Sequence, residues 1–509
     1  MAAALIPFGL VVALTFANTP DDPLITLRYA WNLIHHGQPV FNLGERVEGF
    51  TSPLHLLLAA LLLLLPGGYA LFKLKLASVA LAGLALGQTA RLARLARLPR
   101  WGQLAAVVAV GGSWNFAVSA SNGLETSLCV LLVTGATASL LDPRQRTSWQ
   151  PAVWTGILAL ARPDALLVIA SLACVSLKLT RDSRNWREIR WCIGPVLTTA
   201  ALVGFRALYY HSLLPNTYYA KHLPLGAALV WGAAYLLGAQ PLSGPGAAIL
   251  LSLQLWLAVI AVRGLRGTGR IGFPGAVLVA QLMFILGSGG DWMKGGRFLA
   301  PALPALAVLM MMGVEVLCET VSPRRRRRRS LIVLLGAAAV ALLALPMPID
   351  YNPAWALSRG VGDQALIADG GYGLSGPWID SAALASCLAP GQTVADSEVG
   401  LFGWEHLDLR VLDMRGLTSS AIARNAPPRD KALAGVVDPR WYLPGSPVGR
   451  VLERARPAMI IGLHRRGRVL PSAILDGRYA RRSADLPTSV ANRITVYLRR
   501  GVRCSAPVS

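Results

Sequence analysis

Acidic residues are scarce in this 509-residue chain: 26 Asp and Glu stand against 49 Lys and Arg. Charged residues of both signs reach only 15%, where soluble domains carry about 25%. That shortage excludes a chain built wholly for water. Cysteines number six, and none falls in a CxxC or Cys/His spacing, so nothing suggests a structural zinc site. Apart from Arg324 to Arg329 there is no low-complexity segment, and no internal repeat, which sets solenoid folds aside. A basic lead and a small-x-small cleavage site are both missing around Met1 to Ala17. That run therefore reads as a retained first helix, not a signal peptide.

What is abundant is apolar sequence. Hydrophobic residues make up 54% of the chain and the mean hydropathy is +0.49. Apolar runs of about 15 to 22 residues recur as far as Leu345, the length a bilayer requires. The expected fold is a polytopic α-helical membrane protein of about eleven spans over residues 1–347. A soluble tail over 348–509 follows, with strand-like runs (Thr393 to Ala395, Leu409 to Leu412, Ala458 to Leu463, Ile494 to Leu498) and a helix over Val448 to Ala455, the pattern of a small α/β domain. Cys387 and Cys504 bracket that tail and are candidates to pair if it is exported.

The formal charge of +23 does not indicate nucleic acid. The arginines sit in short connections: Arg91 to Arg100, Arg144 and Arg146, Arg181 to Arg190, Arg263 to Arg270, Arg324 to Arg329. Basic connections of this kind stay in the cytoplasm. Reading Leu54 to Leu65 as interfacial or re-entrant, and splitting Ala152 to Leu179 at Arg162-Pro163-Asp164, keeps every basic connection on one side. The same topology sends a second set of connections to the opposite, periplasmic face: residues 18–53, Ser121 to Glu125, Arg162 to Asp164, Leu214 to His222 and Gly287 to Arg297.

Those outer connections hold most of the polar groups near the membrane. Asp21 and Asp22 follow the first helix directly. Adjacent carboxylates repel, so one can hold a raised pKa and accept a proton. Capping of the helix Leu24 to Ile34 is the plainer account of the same pair. Glu45, Arg46 and Glu48 lie in a glycine-flanked turn. In LPNTYYAKH, Lys221 suits a phosphate, and the tyrosines suit either a sugar ring or the headgroup level. In GGDWMKGGR, Asp291 suits a sugar hydroxyl and Lys294 or Arg297 a phosphate. Glu125 opens a helix, which dipole capping would explain, and Arg162 and Asp164 can pair.

The stretch DDPLITLRYAWNLIHHGQPVFNLGERVEGFTSPL resembles the signature of membrane arabinofuranosyltransferases of the GT-C class, among them the terminal β-(1→2) enzymes of mycobacterial arabinan synthesis and their proteobacterial homologues. NGLETSL, ARPDA, LPNTYYAK and GGDWM…GRFLAPALP follow in the family's order. The chain departs from the pattern at Leu24 and Phe50, where aromatic and tyrosine are usual.

The resemblance implies a glycosyltransferase moving a pentose from a polyprenyl-phosphoryl donor to a cell-envelope glycan. It places the enzyme in the bacterial inner membrane with its site facing the periplasm. It carries catalysis onto Asp21 and Asp22. By the same analogy Arg28, Glu48, Arg162, Asn216, Tyr218, Lys221, Asp291, Trp292 and Arg297 line the substrate pocket. No metal ligand set is implied, and a divalent cation is left open. The competing readings are a lipid-linked-sugar transporter or flippase, which should carry charge at mid-bilayer, and a membrane-anchored glycan-binding protein.

Overall fold

The computed structural model describes residues 2–16, 19–238, 245–265, 269–291, 293, 296–320, 384–426, 442–461, 478–484 and 494–502. The first part is a helical bundle. Four described helices are long and apolar enough to cross a bilayer: Ala70–Leu95, Trp186–Tyr210, Ala247–Gly264 and Ala300–Thr320. The 26 residues of Ala70–Leu95 extend about 39 Å at 1.5 Å per residue, enough for a hydrocarbon core of about 30 Å. The chain is thus a polytopic helical membrane protein.

Against the eleven-span expectation, Leu54 to Leu65 is short and Ala152 to Leu179 is broken as expected, while other segments differ. Leu104 to Ala120 is not one helix: Arg100–Gly112 and Trp114–Ser121 meet at a 52° bend. Counted as one span, they make five. Pro53–Leu64 has 12 residues, about 18 Å, too short to span. The break at Arg162 to Asp164 separates Gln150–Ala159 from Ala165–Ser183. An apolar helix that the span count passes over, Leu225–Gly238, lies between the LPNTYYAK turn and the next span. It packs against Gly272–Ser288, with Gly232 against Ile285 and Leu286, and Ala228 and Trp231 beside Gly289. The expected span Leu331 to Leu345 and the arginine run lie outside the described residues.

The basic connections gather at one end of the bundle. Arg91 pairs with Asp142 at 3.5 Å, Arg146 with Glu188 at 3.4 Å and Arg270 with Glu315 at 3.2 Å. The acidic and aromatic connections meet at the other end.

Beyond residue 384 the described chain forms a five-stranded sheet of order β2-β1-β3-β5-β4. The strands are β1 (Thr393–Asp396), β2 (Arg410–Asp413), β3 (Met459–Ile461), β4 (Tyr479–Ala484) and β5 (Ile494–Arg499). β2, β1 and β3 run parallel, and β5 and β4 pair antiparallel. β4 is a strand the sequence pattern does not reveal. The bonded half-cystine Cys387 precedes β1, while Cys504 lies outside the described residues.

The tail has an apolar cluster of its own, around Ile422, Tyr442, Val448 and Tyr497, and shares a second with the first loop. Leu24, Leu27, Tyr29 and Phe41 of the first loop are buried in one apolar cluster with Val399, Phe402, Val411 and Met459. Asn42 meets the exposed edge of β2 as a strand would: its Nδ2 donates to the Val411 carbonyl at 2.9 Å, and its Oδ1 accepts from the Val411 amide at 3.0 Å. First loop and tail therefore pack as one body over the acidic end of the bundle.

Candidate active site

Asp21 and Asp22 begin the loop helix Asp22–His36. Successive residues on a helix point about 100° apart, so the two carboxylates have different neighbours. Asp21 is 3% exposed. It makes no side-chain cap bond to its own helix, contrary to the capping expectation. Both its oxygens turn to the tail: Oδ2 accepts from the Gly400 amide and Oδ1 from the Leu401 amide, each at 2.7 Å. Burial, with Glu398 nearby, holds its carboxyl well above the usual carboxylate range.

Asp22 faces the other way, into a solvent-open cleft. Gly49 to Ser52 and His55 from the first loop line one side. Leu124 and Glu125, Thr217 and Lys221, and Arg297 line the others, and Leu417 of the tail forms a roof. Arg297 lies 3.8 Å from Asp22 and is held by Asp291. Behind it, Arg162 donates to Glu125 at 2.6 Å and to Asp164 at 2.7 Å. The Phe298 ring carries both cations, with Arg162 at 4.6 Å and Arg297 at 5.4 Å. Glu125 is thus an ion-pair partner, not the simple helix cap its position suggests. Among the described residues Lys221 has no ion-pair partner.

The expected site residues separate into groups. Asp22, Lys221 and Arg297 line the cleft, with Arg162 and Asp291 directly behind. Glu48 lies just outside it. Burial raises its carboxyl above the usual range while Arg206 opposes that, through bonds of 2.8 Å from both Nε and Nη2. Arg206 starts a π turn, Arg206–Tyr210, the kind of irregularity often found near functional sites. Asn216 supports the roof: its amide donates to the Glu48 carbonyl at 2.9 Å, and its Nδ2 to the carbonyls of Gly416 at 2.7 Å and Leu417 at 2.8 Å.

Arg28 does not reach the cleft. Its guanidinium donates to the carbonyls of Gly403, His406 at 3.1 Å and Leu409 at 2.6 Å, all in the tail. Tyr218 is 47% exposed and packs on His222 rather than lining the cleft. Trp292 lies outside the described residues. Among the described residues no group of three or more His, Cys, Asp or Glu could hold a metal ion.

His55 is the cleft residue that sequence reasoning misses. It is 2% exposed, and among the described residues its Nε2 has no hydrogen-bond partner. An unmade hydrogen bond on a buried polar atom costs about 1–3 kcal/mol, so a native site tends to supply a partner. Its place in an apolar helix start hides it. Leu417 and Arg206 are missed for another reason: only the fold brings positions 48, 206 and 417 together. Gly49 shows how closely, because a Cβ there would stand 2.6 Å from the Tyr29 hydroxyl and 2.9 Å from the Leu417 carbonyl.

No family model matches the chain. It is 28% identical over 344 residues, 58% of its length, to a terminal beta-(1->2)-arabinofuranosyltransferase of Corynebacterium glutamicum, covering 48% of that protein. It is 29% identical over 342 residues, 56% of its length, to the protein of the same name from Mycobacterium tuberculosis, covering 51%. The chain spans about half the length of these curated relatives. In fold it is similar to ArnT from Cupriavidus metallidurans bound to undecaprenyl phosphate, with a TM-score of 0.54 over 98% of this chain and 97% of that one, at 14% identity. The chain shares the fold of GT-C membrane proteins and resembles arabinofuranosyltransferases in sequence.

Proposed function

We propose that this protein transfers a pentose, arabinofuranose, from a polyprenyl-phosphate carrier to a cell-envelope glycan on the periplasmic side of the bacterial inner membrane. The observation that carries the reading is the cleft at the acidic end of the bundle, where one carboxylate, Asp22, stands beside cations suited to a lipid phosphate. Relatives named for arabinofuranosyl transfer, and a fold neighbour holding undecaprenyl phosphate, support the donor class.

In this reaction Asp22 takes the proton of the acceptor hydroxyl as its oxygen bonds to the anomeric carbon. The bond from that carbon to the phosphate oxygen breaks, and its electron pair leaves with the lipid phosphate. Lys221 and Arg297 receive that charge, a charge-assisted contact of about 1.5–3 kcal/mol each. Glu125 and Asp291 hold the arginines in place through Arg162 and directly. His55 offers its Nε2, which no described residue engages, to a sugar hydroxyl. General base assistance contributes about 10²–10⁴-fold.

Proteoliposomes containing the purified protein, a radiolabelled polyprenyl-phosphoryl arabinofuranose and a synthetic arabinofuranoside acceptor test the assignment. Label should appear in the acceptor. Movement of intact donor across the bilayer without transfer would instead establish a flippase.

A further inference from the structure

The cluster left over from the proposed chemistry is Asp21, Arg28 and the tail helix Val399–Glu405. Asp21 and Arg28 are seven residues apart, two turns along one face of the loop helix. Asp21 accepts from the amides of Gly400 and Leu401 at the start of the tail helix. Arg28 donates to the carbonyls of Gly403 and His406 at its end. A seven-residue helix is thus held at both termini by one neighbouring helix. The groups it would otherwise leave unsatisfied are those the clamp takes up.

The fit is steric as well as polar. A Cβ on Gly400 would collide with the Asp21 main-chain oxygen and carboxyl group, and one on Gly403 would stand 2.7 Å from Phe41 Cζ. Arg28 also donates to the Phe41 carbonyl at 2.7 Å and lies 4.7 Å from the Phe41 ring. Both side chains are buried, at 3% and 2% exposure, and neither lines the cleft.

The held helix leads through β2 into the roof. Asp413, the last residue of β2, shapes the following turn by accepting from the amides of Arg415 at 2.7 Å, Gly416 at 3.1 Å and Thr418 at 2.8 Å. That turn presents Leu417 to the cleft. The roof is therefore held by Asn216 from the bundle and, through the tail, by the Asp21–Arg28 clamp and by Asn42 on β2.

We infer that Asp21 and Arg28 are positioning residues, which hold the tail against the first loop and so set the wall of the cleft that a water-borne acceptor meets. A lipid donor arrives from the bilayer side, toward Lys221 and Arg297. The acceptor must come from the aqueous side, where the tail lies. The adjacent aspartates have separate tasks, reaction for Asp22 and assembly of the site for Asp21. The kinetic arm of the test rests on the proposed transferase reading, and the hydrogen-exchange arm does not.

The experiment compares Asp21→Asn, Gly400→Ala, Arg28→Lys and Asp22→Asn in the full-length protein. Hydrogen exchange is read on the peptide covering 399–405, and KM is measured separately for polyprenyl-phosphoryl arabinofuranose and an octyl arabinofuranobioside. Asp21→Asn and Gly400→Ala should raise exchange at least tenfold. They should raise the acceptor KM several-fold with the donor KM unchanged. Arg28→Lys, which retains one cation, should give a smaller change of the same kind. Asp22→Asn should lose turnover with exchange at the wild-type level. Gly400→Ala introduces no reactive group, so its agreement with Asp21→Asn separates positioning from chemistry.

Two results overturn the inference. One is Asp21→Asn abolishing turnover with exchange unchanged, which makes Asp21 a reaction group. The other is raised exchange with both KM values unchanged, which makes the clamp structural alone. Should Asp21→Asn fail to fold, Arg28→Lys carries the test, and wild-type exchange in that variant refutes the clamp. Absence of transfer in the wild type would refute the transferase reading while exchange still reports on the clamp.

Discussion

Arg162 offers a measurable test of how the floor of the cleft is held. Its guanidinium meets Glu125 at 2.6 Å and Asp164 at 2.7 Å, with side-chain exposures of 8% and 6% for the two carboxylates. It also lies over the Phe298 ring at 4.6 Å. Arg162→Met keeps much of the side chain's volume and deletes the charge. Removing one partner of a buried pair costs about 3–5 kcal/mol, because the remaining charge is left uncompensated. Here two carboxylates lose their cation, and among the described residues Asp164 keeps a 3.5 Å side-chain contact from Gln281 Nε2. The expected loss is about 4 kcal/mol. In the detergent-solubilised protein it should lower the thermal unfolding midpoint, followed by tryptophan fluorescence, by several degrees. If uncompensated charge is the cause, the triple variant Arg162→Met, Glu125→Gln, Asp164→Asn should recover most of that loss. A wild-type midpoint for the single variant, or a triple variant no more stable than the single, would refute the reasoning.

Three further outcomes are expected. Lys221→Met should raise the KM for the lipid-phosphate donor by about 10- to 100-fold, the equivalent of one charge-assisted contact, with the acceptor KM unchanged in the same assay. His55→Phe should raise a substrate KM by about 5- to 10-fold, the worth of one hydrogen bond, because it deletes a ring nitrogen that no described residue satisfies. The Asp396 carboxyl is pushed up to about 7, chiefly by burial at the end of β1, so the folded state retains its proton over the interval from the ordinary value of 3.8 to about 7. Folding stability is therefore highest at the acid end of that interval and falls as pH rises through it, by at most about 4 kcal/mol at 1.36 kcal/mol per pH unit. Hydrogen exchange of the 393–396 peptide should quicken between pH 5 and pH 8 after correction for intrinsic rates, and Asp396→Asn should flatten that dependence.

Charge placement made the two ends of the helical bundle legible. Each basic connection carries arginines that a bilayer keeps on one side, and the pairs Arg91–Asp142, Arg146–Glu188 and Arg270–Glu315 bring those connections together. The grouping of the motifs was legible for the same reason, since every one of them lies on the opposite connections. The different surroundings of Asp21 and Asp22 were not legible. Adjacent carboxylates look alike until a helix turns them apart, and the partner of Asp21 lies some 380 positions away. Arg28 misleads in the same way, because a cation next to a signature pair suits a phosphate as well as a set of distant carbonyls. Helix Leu225–Gly238 was missed because 14 apolar residues suit neither a span nor a loop. β4, with the sequence YARRSA, lacks the apolar run by which a strand is recognised.

The central claim is that the reaction belongs to the cleft side of the aspartate pair. Turnover of Asp22→Asn and Asp21→Asn, measured with saturating lipid-phosphoryl arabinofuranose and acceptor in proteoliposomes, tests it most directly. The account predicts a fall of about 10²-fold or more for Asp22→Asn, with Asp21→Asn retaining readily measured turnover at saturation. Wild-type turnover in Asp22→Asn would contradict it.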